Sequence, residues 1–250
     1  MVDFLGIIPA RYASTRFPGK PLALLGNKPM IQWVYERASS LFENLLVATD
    51  DQRIHDAVEQ FGGKVQMTSP EHDSGTERCA EAARLYEKQE KHYFSHVVNI
   101  QGDEPMIRME HLRALTDCFR NSGTGIATLI KQMNDLKDLE NPNVVKVVVD
   151  QSYRALYFSR TPIPYKRNKT ADQDDGKLQF YTHIGLYGFQ REILEQVVKL
   201  PPSVLEQAES LEQLRWLEHG ISIQTAVSNF PSVGVDTPED LEKIRKQGAF

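Results

Sequence analysis

Three cations share one short stretch of this chain: Arg11, Arg16 and Lys20, with Ser14, Thr15 and Gly19 between them. The stretch follows Phe4-Leu5-Gly6-Ile7-Ile8, an apolar run that reads as a buried strand and breaks at Pro9. Cations, hydroxyls and backbone N–H groups on such a loop suit a polyphosphate, because ligands of open α/β sheets bind beyond the carboxyl ends of the strands. The spacing is neither Gly-x-x-x-x-Gly-Lys-Ser/Thr nor Gly-x-Gly-x-x-Gly. A basic loop that merely faces solvent is the competing reading.

Two carboxylates are candidates for a hard cation. Asp103 lies in Gln101-Gly102-Asp103-Glu104-Pro105, directly after a strand-like run ending at Ile100. Asp236 lies in Gly234-Val235-Asp236-Thr237-Pro238, where Thr237 can cap the following helix and leaves Asp236 available. Mg²⁺ takes one or two protein carboxylates together with phosphate oxygens and water, so the pair fits its demands. Turn or cap carboxylates are the alternative for both. Ser74-Gly75-Thr76-Glu77-Arg78 places hydroxyls and N–H groups at a helix start, which attracts acceptors; capping alone explains it equally well. Arg160 ends a strand before a Pro-rich turn and could grip a carboxylate with two parallel bonds. His183 at the start of another strand reads more simply as a structural histidine, and Glu212 and Gln213 as a solvated helix face.

These residues need elements to hold them. Pro29 can open a helix with Ile31, Val34, Tyr35 and Ala38 on one face, and Leu45 to Thr49 reads as a buried strand. Asp50 or Asp51 can cap the next helix, which ends at Gly62-Gly63. Ser74 with Glu77 is a capping-box pattern. His96 to Ile100 is a strand, followed by a helix marked by Leu112, Leu115 and Phe119. Strand–helix alternation at this spacing predicts a mostly parallel sheet flanked by helices, an α/β fold. The second half is richer in strands: Gly125–Ile130, Val144–Asp150, Ala155–Ser159, Ile184–Phe189 and Ile221–Val227. One helix is expected from about Val204 to His219, with Leu205, Ala208, Leu211 and Leu214 as its apolar stripe, and a last one from Thr237. Lys166 to Lys177 is polar, without periodicity, and reads as a surface loop or lid. No linker divides the 250 residues, so a single domain over 1–250 is expected.

The net charge of −5 argues against bulk attraction to nucleic acid or anionic membrane, so an anion must be caught by a local basic site. No apolar run approaches the roughly 20 residues of a membrane span, and the first residues lack the pattern of a signal peptide. Cys79 and Cys118 are too few for a disulfide framework, which fits a reducing cytosol.

Taken together, Ile8 to Pro21, Ser74 to Arg78, Asn99 to Pro105, Ala155 to Arg160, Leu211 to Arg215 and Gly234 to Asp240 resemble, in order and over nearly the whole chain, the bacterial 3-deoxy-manno-octulosonate (Kdo) cytidylyltransferases, or CMP-Kdo synthetases. The opening loop is shared more loosely with other sugar nucleotidyltransferases; Asn99 to Pro105 and Leu156 to Arg160 are more specific. The resemblance implies a Rossmann-like nucleotidyltransferase fold with a smaller mixed-strand subdomain, a cytoplasmic homodimer, and Mg²⁺-dependent transfer of CMP from CTP to Kdo. It implies that Arg11, Ser14, Thr15, Arg16 and Lys20 bind the triphosphate, with Lys20 also catalytic, and that Ser74, Gly75, Thr76 and Arg78 lie near the nucleoside. Asp103 and Asp236 would be catalytic metal ligands, while Gln101, Arg160, His183, Tyr187, Glu212 and Gln213 would surround the sugar acid. A cytidylyltransferase for an 8-amino Kdo analogue or a neuraminate, and a non-catalytic nucleotide-binding regulator, are the alternatives.

Overall fold

The computed structural model describes residues 3–120, 123–167, 178–230 and 233–246. The loop expected at Lys166 to Lys177 lies outside the described residues from position 168 onward. In chain order the elements are β1 (Phe4–Ala10), β2 (Leu24–Leu25), β3 (Lys28–Pro29), α1 (Met30–Ser39), β4 (Leu45–Thr49), α2 (Gln52–Gln60), β5 (Val65–Met67), α3 (Gly75–Glu90), β6 (His96–Asn99), α4 (Met109–Asp117), β7 (Ile126–Gln132), β8 (Lys146–Val149), β9 (Ala155–Ser159), β10 (Tyr181–Gln190), α5 (Arg191–Val197), α6 (Val204–Glu209), α7 (Gln213–Glu218), β11 (Ile223–Val227) and α8 (Pro238–Lys246). Contacts group them into two units: Met1–Arg113 with Leu186–Val198 and Ser232–Phe250, and Ala114–Gly185 with Lys199–Pro231.

In the first unit, β1 pairs in parallel with β4 on one side and β6 on the other, and β4 pairs in parallel with β5. The end of β10 lies antiparallel on β6, with Tyr187 opposite Asn99. Leu5, Ile7, Ile8, Leu46, Val47, Val97 and Val98 are completely buried. Such unbroken apolar runs belong to strands covered on both faces, and each large aliphatic side chain so buried contributes about 1.5–3 kcal/mol. The mostly parallel α/β sheet expected from the sequence is therefore present, with one antiparallel strand added.

Helix starts follow the side chains that can cap them. Asp51 accepts the N–H of Arg53 at 3.0 Å and opens α2. Ser74 accepts the N–H of Glu77 at 3.2 Å and opens α3. Glu77 does not close the box on Ser74; its carboxylate takes the N–H of Asp73 instead, at 2.9 Å, one residue further back. At α8, Thr237 and Asp240 cap reciprocally: Asp240 N–H donates to Thr237 Oγ1 at 3.2 Å and Thr237 N–H to Asp240 Oδ2 at 3.1 Å.

In the second unit, β11 pairs in parallel with β7, and β8 lies antiparallel to both β9 and the start of β10. The single helix expected over Val204–His219 is two. Ser203 and Glu206 form a full capping box on α6, and Ser210 then turns left-handed at φ 51° and ends it. The Glu206 carboxylate is also held by Arg215 of α7, at 2.6 and 2.7 Å, which ties the second helix back onto the first. The expected stripe is only partly core: Leu211 and Leu214 are buried, whereas Leu205 is exposed. Among the described residues no helix is long and apolar enough to cross a membrane.

Candidate active site

A cleft of about 260 Å³ opens at the C-terminal end of β1 in the first unit, lined by Arg11, Ser14, Arg16 and Lys20 on one side and by His72, Ser74, Gln101, Asp103 and Asp236 around it. Three pieces of local structure put them there. Gly19, at φ +70°, turns the loop into a short 3-10 turn over Lys20–Leu22 and so aims Lys20. Gly102 lets the turn after β6 approach the end of β1, since a Cβ there would stand 3.0 Å from the carbonyl oxygen of Pro9. The segment before α8 is docked by main chain: Val235 N–H donates to the carbonyl of Asp103 at 2.9 Å. A small apolar cluster of Leu25, Met30, Val235, Leu241 and Ile244, with Phe17 packed on it, anchors loop and segment together.

Asp103 and Asp236, 133 positions apart in sequence, thereby meet at one ammonium. Lys20 Nζ lies 2.5 Å from Asp103 Oδ2 and 3.7 Å from Asp236 Oδ1. Arg16 reaches Asp236 as well, at 3.1 Å, but that pair is largely exposed and contributes at most about 1 kcal/mol to the fold. Two carboxylates converging on one cation form the donor set a hard divalent ion uses.

Of the expected nucleotide residues, Arg11, Ser14, Arg16, Lys20, Ser74, Gly75 and Arg78 line the cleft; exposed Thr15 and buried Thr76 are not part of its wall. Ser14 Oγ accepts the N–H of Phe17 at 3.3 Å and so shapes the loop. Arg78 is buried, its guanidinium spent on Asp50 at 2.9 Å, on Thr68 Oγ1 at 2.7 Å and on the carbonyl of Ser69. It is a tie within the wall. His72 and Asp73, also in the wall, escaped the sequence reading. His72 Nε2 lies 2.5 Å from Glu81, which also takes the N–H of Ser69; those bonds hold the Glu81 carboxyl below its ordinary range against the opposing effect of burial. The signal was available: Glu77 and Glu81, one turn apart on α3, both face the segment just before it.

Gln101 belongs to the cleft, and Tyr187 is buried on β10, stacked on Phe189. The other residues expected around a sugar acid lie in the second unit. Arg160 donates from Nε, Nη1 and Nη2 to the carbonyls of Glu209, Pro142 and Ser210, at 2.7, 3.0 and 3.2 Å. Among the described residues, two of its five N–H donors remain without a partner. His183 bonds Thr128 at 2.9 Å and meets Phe158 edge-on; burial pushes its pKa down to about 3, so it stays neutral. Glu212 precedes α7 and Gln213 opens it. Gln213 is buried, and among the described residues its Nε2 has no hydrogen-bond partner. An unmet buried donor costs about 1–3 kcal/mol, which marks the position for an acceptor.

A family model described as Cytidylyltransferase matches residues 5–223. The chain belongs to the cytidylyltransferase family. It is 51% identical over 247 residues to the 3-deoxy-manno-octulosonate cytidylyltransferase of Parabacteroides distasonis, covering 97% of each chain. To the enzyme of that name from Thermodesulfovibrio yellowstonii it is 52% identical over 244 residues, covering 96% of each. The solved structure of a CMP:2-keto-3-deoxy-manno-octonic acid synthetase complexed with CTP superposes with a TM-score of 0.88 at 43% identity, over 99% of this chain and 98% of that one. A cytidylyltransferase from Leptospira borgpetersenii, 17% identical with a TM-score of 0.63, shares the fold. The fold of this cytidylyltransferase family member is thus the nucleotidyltransferase fold that the sequence implies, and the chain is an enzyme of that class.

Proposed function

We infer that the protein transfers CMP from CTP to the anomeric 2-hydroxyl of Kdo, releasing pyrophosphate and supplying an activated sugar for lipopolysaccharide synthesis. The observation that carries this reading is the convergence of Asp103 and Asp236 on Lys20 at the mouth of a basic cleft. Arg11, Arg16 and Lys20 neutralise the triphosphate, and the Ser74 turn at the N-terminus of α3 offers N–H groups to the nucleotide. The sugar hydroxyl attacks the α-phosphorus, the bond from that phosphorus to the β-bridging oxygen breaks, and pyrophosphate carries away the electron pair. Such transfer depends on positioning and charge neutralisation rather than on a covalent protein intermediate.

Asp103 and Asp236 would hold Mg²⁺. When bound, the ion supplies Lewis-acid charge to the phosphoryl oxygens and acidity to the attacking hydroxyl. Lys20 would pair with phosphate oxygens in place of these carboxylates. Within the second unit, the two remaining donors of Arg160 and the amide of Gln213 would receive the sugar acid's oxygens, with His183 a neutral hydrogen-bonding group. The working enzyme is a cytoplasmic homodimer in this reading. Pyrophosphate release from CTP and Mg²⁺ with a panel of sugar acids tests it. Release with Kdo well above that with neuraminate or the 8-amino analogue is expected; a different preferred acid, or no release, overturns it.

A further inference from the structure

The loop bearing Arg11, Arg16 and Lys20 is gripped from outside the cleft. The carbonyl of Tyr12 accepts the N–H of Gly19 at 2.9 Å, closing the loop on itself. The ring of Tyr12 rests on Gly19, where an added Cβ would stand 3.0 Å from the ring carbon bearing the hydroxyl. The guanidinium of Arg53, second residue of α2, stacks over that ring 3.3 Å from its centre. Arg53 is itself fixed: Nε and Nη2 donate to the two oxygens of Asp51, at 2.9 and 2.6 Å, while Asp51 caps the helix. A chain of contacts therefore runs from Asp51 through Arg53 and Tyr12 to Gly19, the residue before Lys20. Tyr12, Asp51 and Arg53 do not line the cleft.

We propose that Arg53 is a positioning residue for the phosphate-binding loop, pinning Tyr12 onto Gly19 and so fixing the backbone from which Lys20 acts. A cation over a tyrosine face is drawn to the ring quadrupole, and a planar guanidinium stacks there better than an ammonium. The helix that carries Arg53 is anchored to the sheet, so the clamp ties a surface loop to a rigid element. The proposal rests on reading the cleft as the CTP site, and its test is built to fail separately from that reading.

The experiment is a double-mutant cycle on CTP binding, measured by calorimetry with Mg²⁺ and no sugar, using Arg53→Ala, Tyr12→Leu and the pair. Amide hydrogen exchange at Gly19 and Lys20 is followed in the same proteins without nucleotide. Each single change is expected to weaken CTP by about 3- to 10-fold, the scale of an exposed to partly desolvated cation–π contact. The double variant should be no weaker than the worse single, since both remove one contact. Gly19 should exchange faster in every variant that loses the clamp, and Tyr12→Phe should behave as wild type because the ring is retained. Losses that multiply in the double variant, or unchanged affinity and exchange in Arg53→Ala, overturn the proposal. If wild type binds CTP yet releases no pyrophosphate with Kdo, the functional reading fails and the cycle still decides the clamp. If wild type does not bind CTP, the exchange of Gly19 alone decides it.

Discussion

Charge is handled in opposite ways in the cleft and around Arg160. In the cleft, cations face carboxylates across partly exposed gaps: Lys20 against Asp103 and Asp236, Arg16 against Asp236. Around Arg160, cations are held by neutral carbonyl oxygens. Arg160 takes three of them, and Lys146, fully buried, gives its ammonium to the carbonyls of Asn141 and Arg160. Burial pushes the Lys146 ammonium pKa down, with Glu140 and Glu209 acting in the opposite sense. An ion pair can exchange partners when a metal and a phosphate arrive. A cation bound to carbonyls keeps its place. The first arrangement suits groups that must be re-paired during a reaction, the second a guanidinium held in a fixed position toward an anionic ligand.

Arg160→Lys tests the fixed arrangement most strongly. An ammonium cannot span the carbonyls of Glu209, Pro142 and Ser210 and still meet a carboxylate at two points. Steady-state kinetics should show kcat/KM for the sugar acid falling roughly 10- to 100-fold, equivalent to the ~1.5–3 kcal/mol of a charged hydrogen bond, with KM for CTP moving much less. Equal damage to both substrates would assign Arg160 to the fold. Lys146→Met comes next. It leaves the carbonyls of Asn141 and Arg160 short of a buried donor, so denaturant unfolding should show a loss of about 1–3 kcal/mol; unchanged stability would mean the carbonyls find other partners.

A third effect concerns His183. Its folded pKa of about 3 lies below the ordinary 6.5, so the unfolded chain binds the proton more readily. Its contribution to stability is complete above pH 6.5 and is lost as pH falls toward 3. The carboxyls of Glu81, Glu195 and Glu206 sit below their ordinary value of 4.5, so their losses begin lower. Melting temperature should therefore already decline between pH 6.5 and 4.5, and His183→Gln should flatten that part of the curve. An identical slope in the variant would refute a neutral imidazole at this position.

Much of the cleft was legible because its parts are local. A basic loop after an apolar strand, a Gly-Asp turn after another, and a Thr-Pro helix start each carry their own signature within a few residues. The capping residues Asp51, Ser74 and Thr237 were readable for the same reason. What escaped depends on partners far away in sequence. Arg78, implied to lie near the nucleoside, does line the cleft, but only the folded positions of Asp50 and Thr68 show that its guanidinium is tied into the wall. Periodicity carried one helix through Ser210, whereas the left-handed turn there and the Arg215–Glu206 bonds make two. His72 has no motif of its own until Glu81 holds it at the rim.

The central claim is that Asp103 serves the reaction and not the fold. Pyrophosphate release by Asp103→Asn at saturating CTP and Kdo, over a Mg²⁺ titration and beside its melting temperature, tests it most directly. Turnover is predicted to fall by roughly 10²-fold or more, the scale of losing one electrostatic stabiliser, with a much smaller change in melting temperature, because Asn keeps the side chain's size and Asp236 still faces the Lys20 ammonium at 3.7 Å. Near-normal turnover at limiting Mg²⁺ would contradict the account.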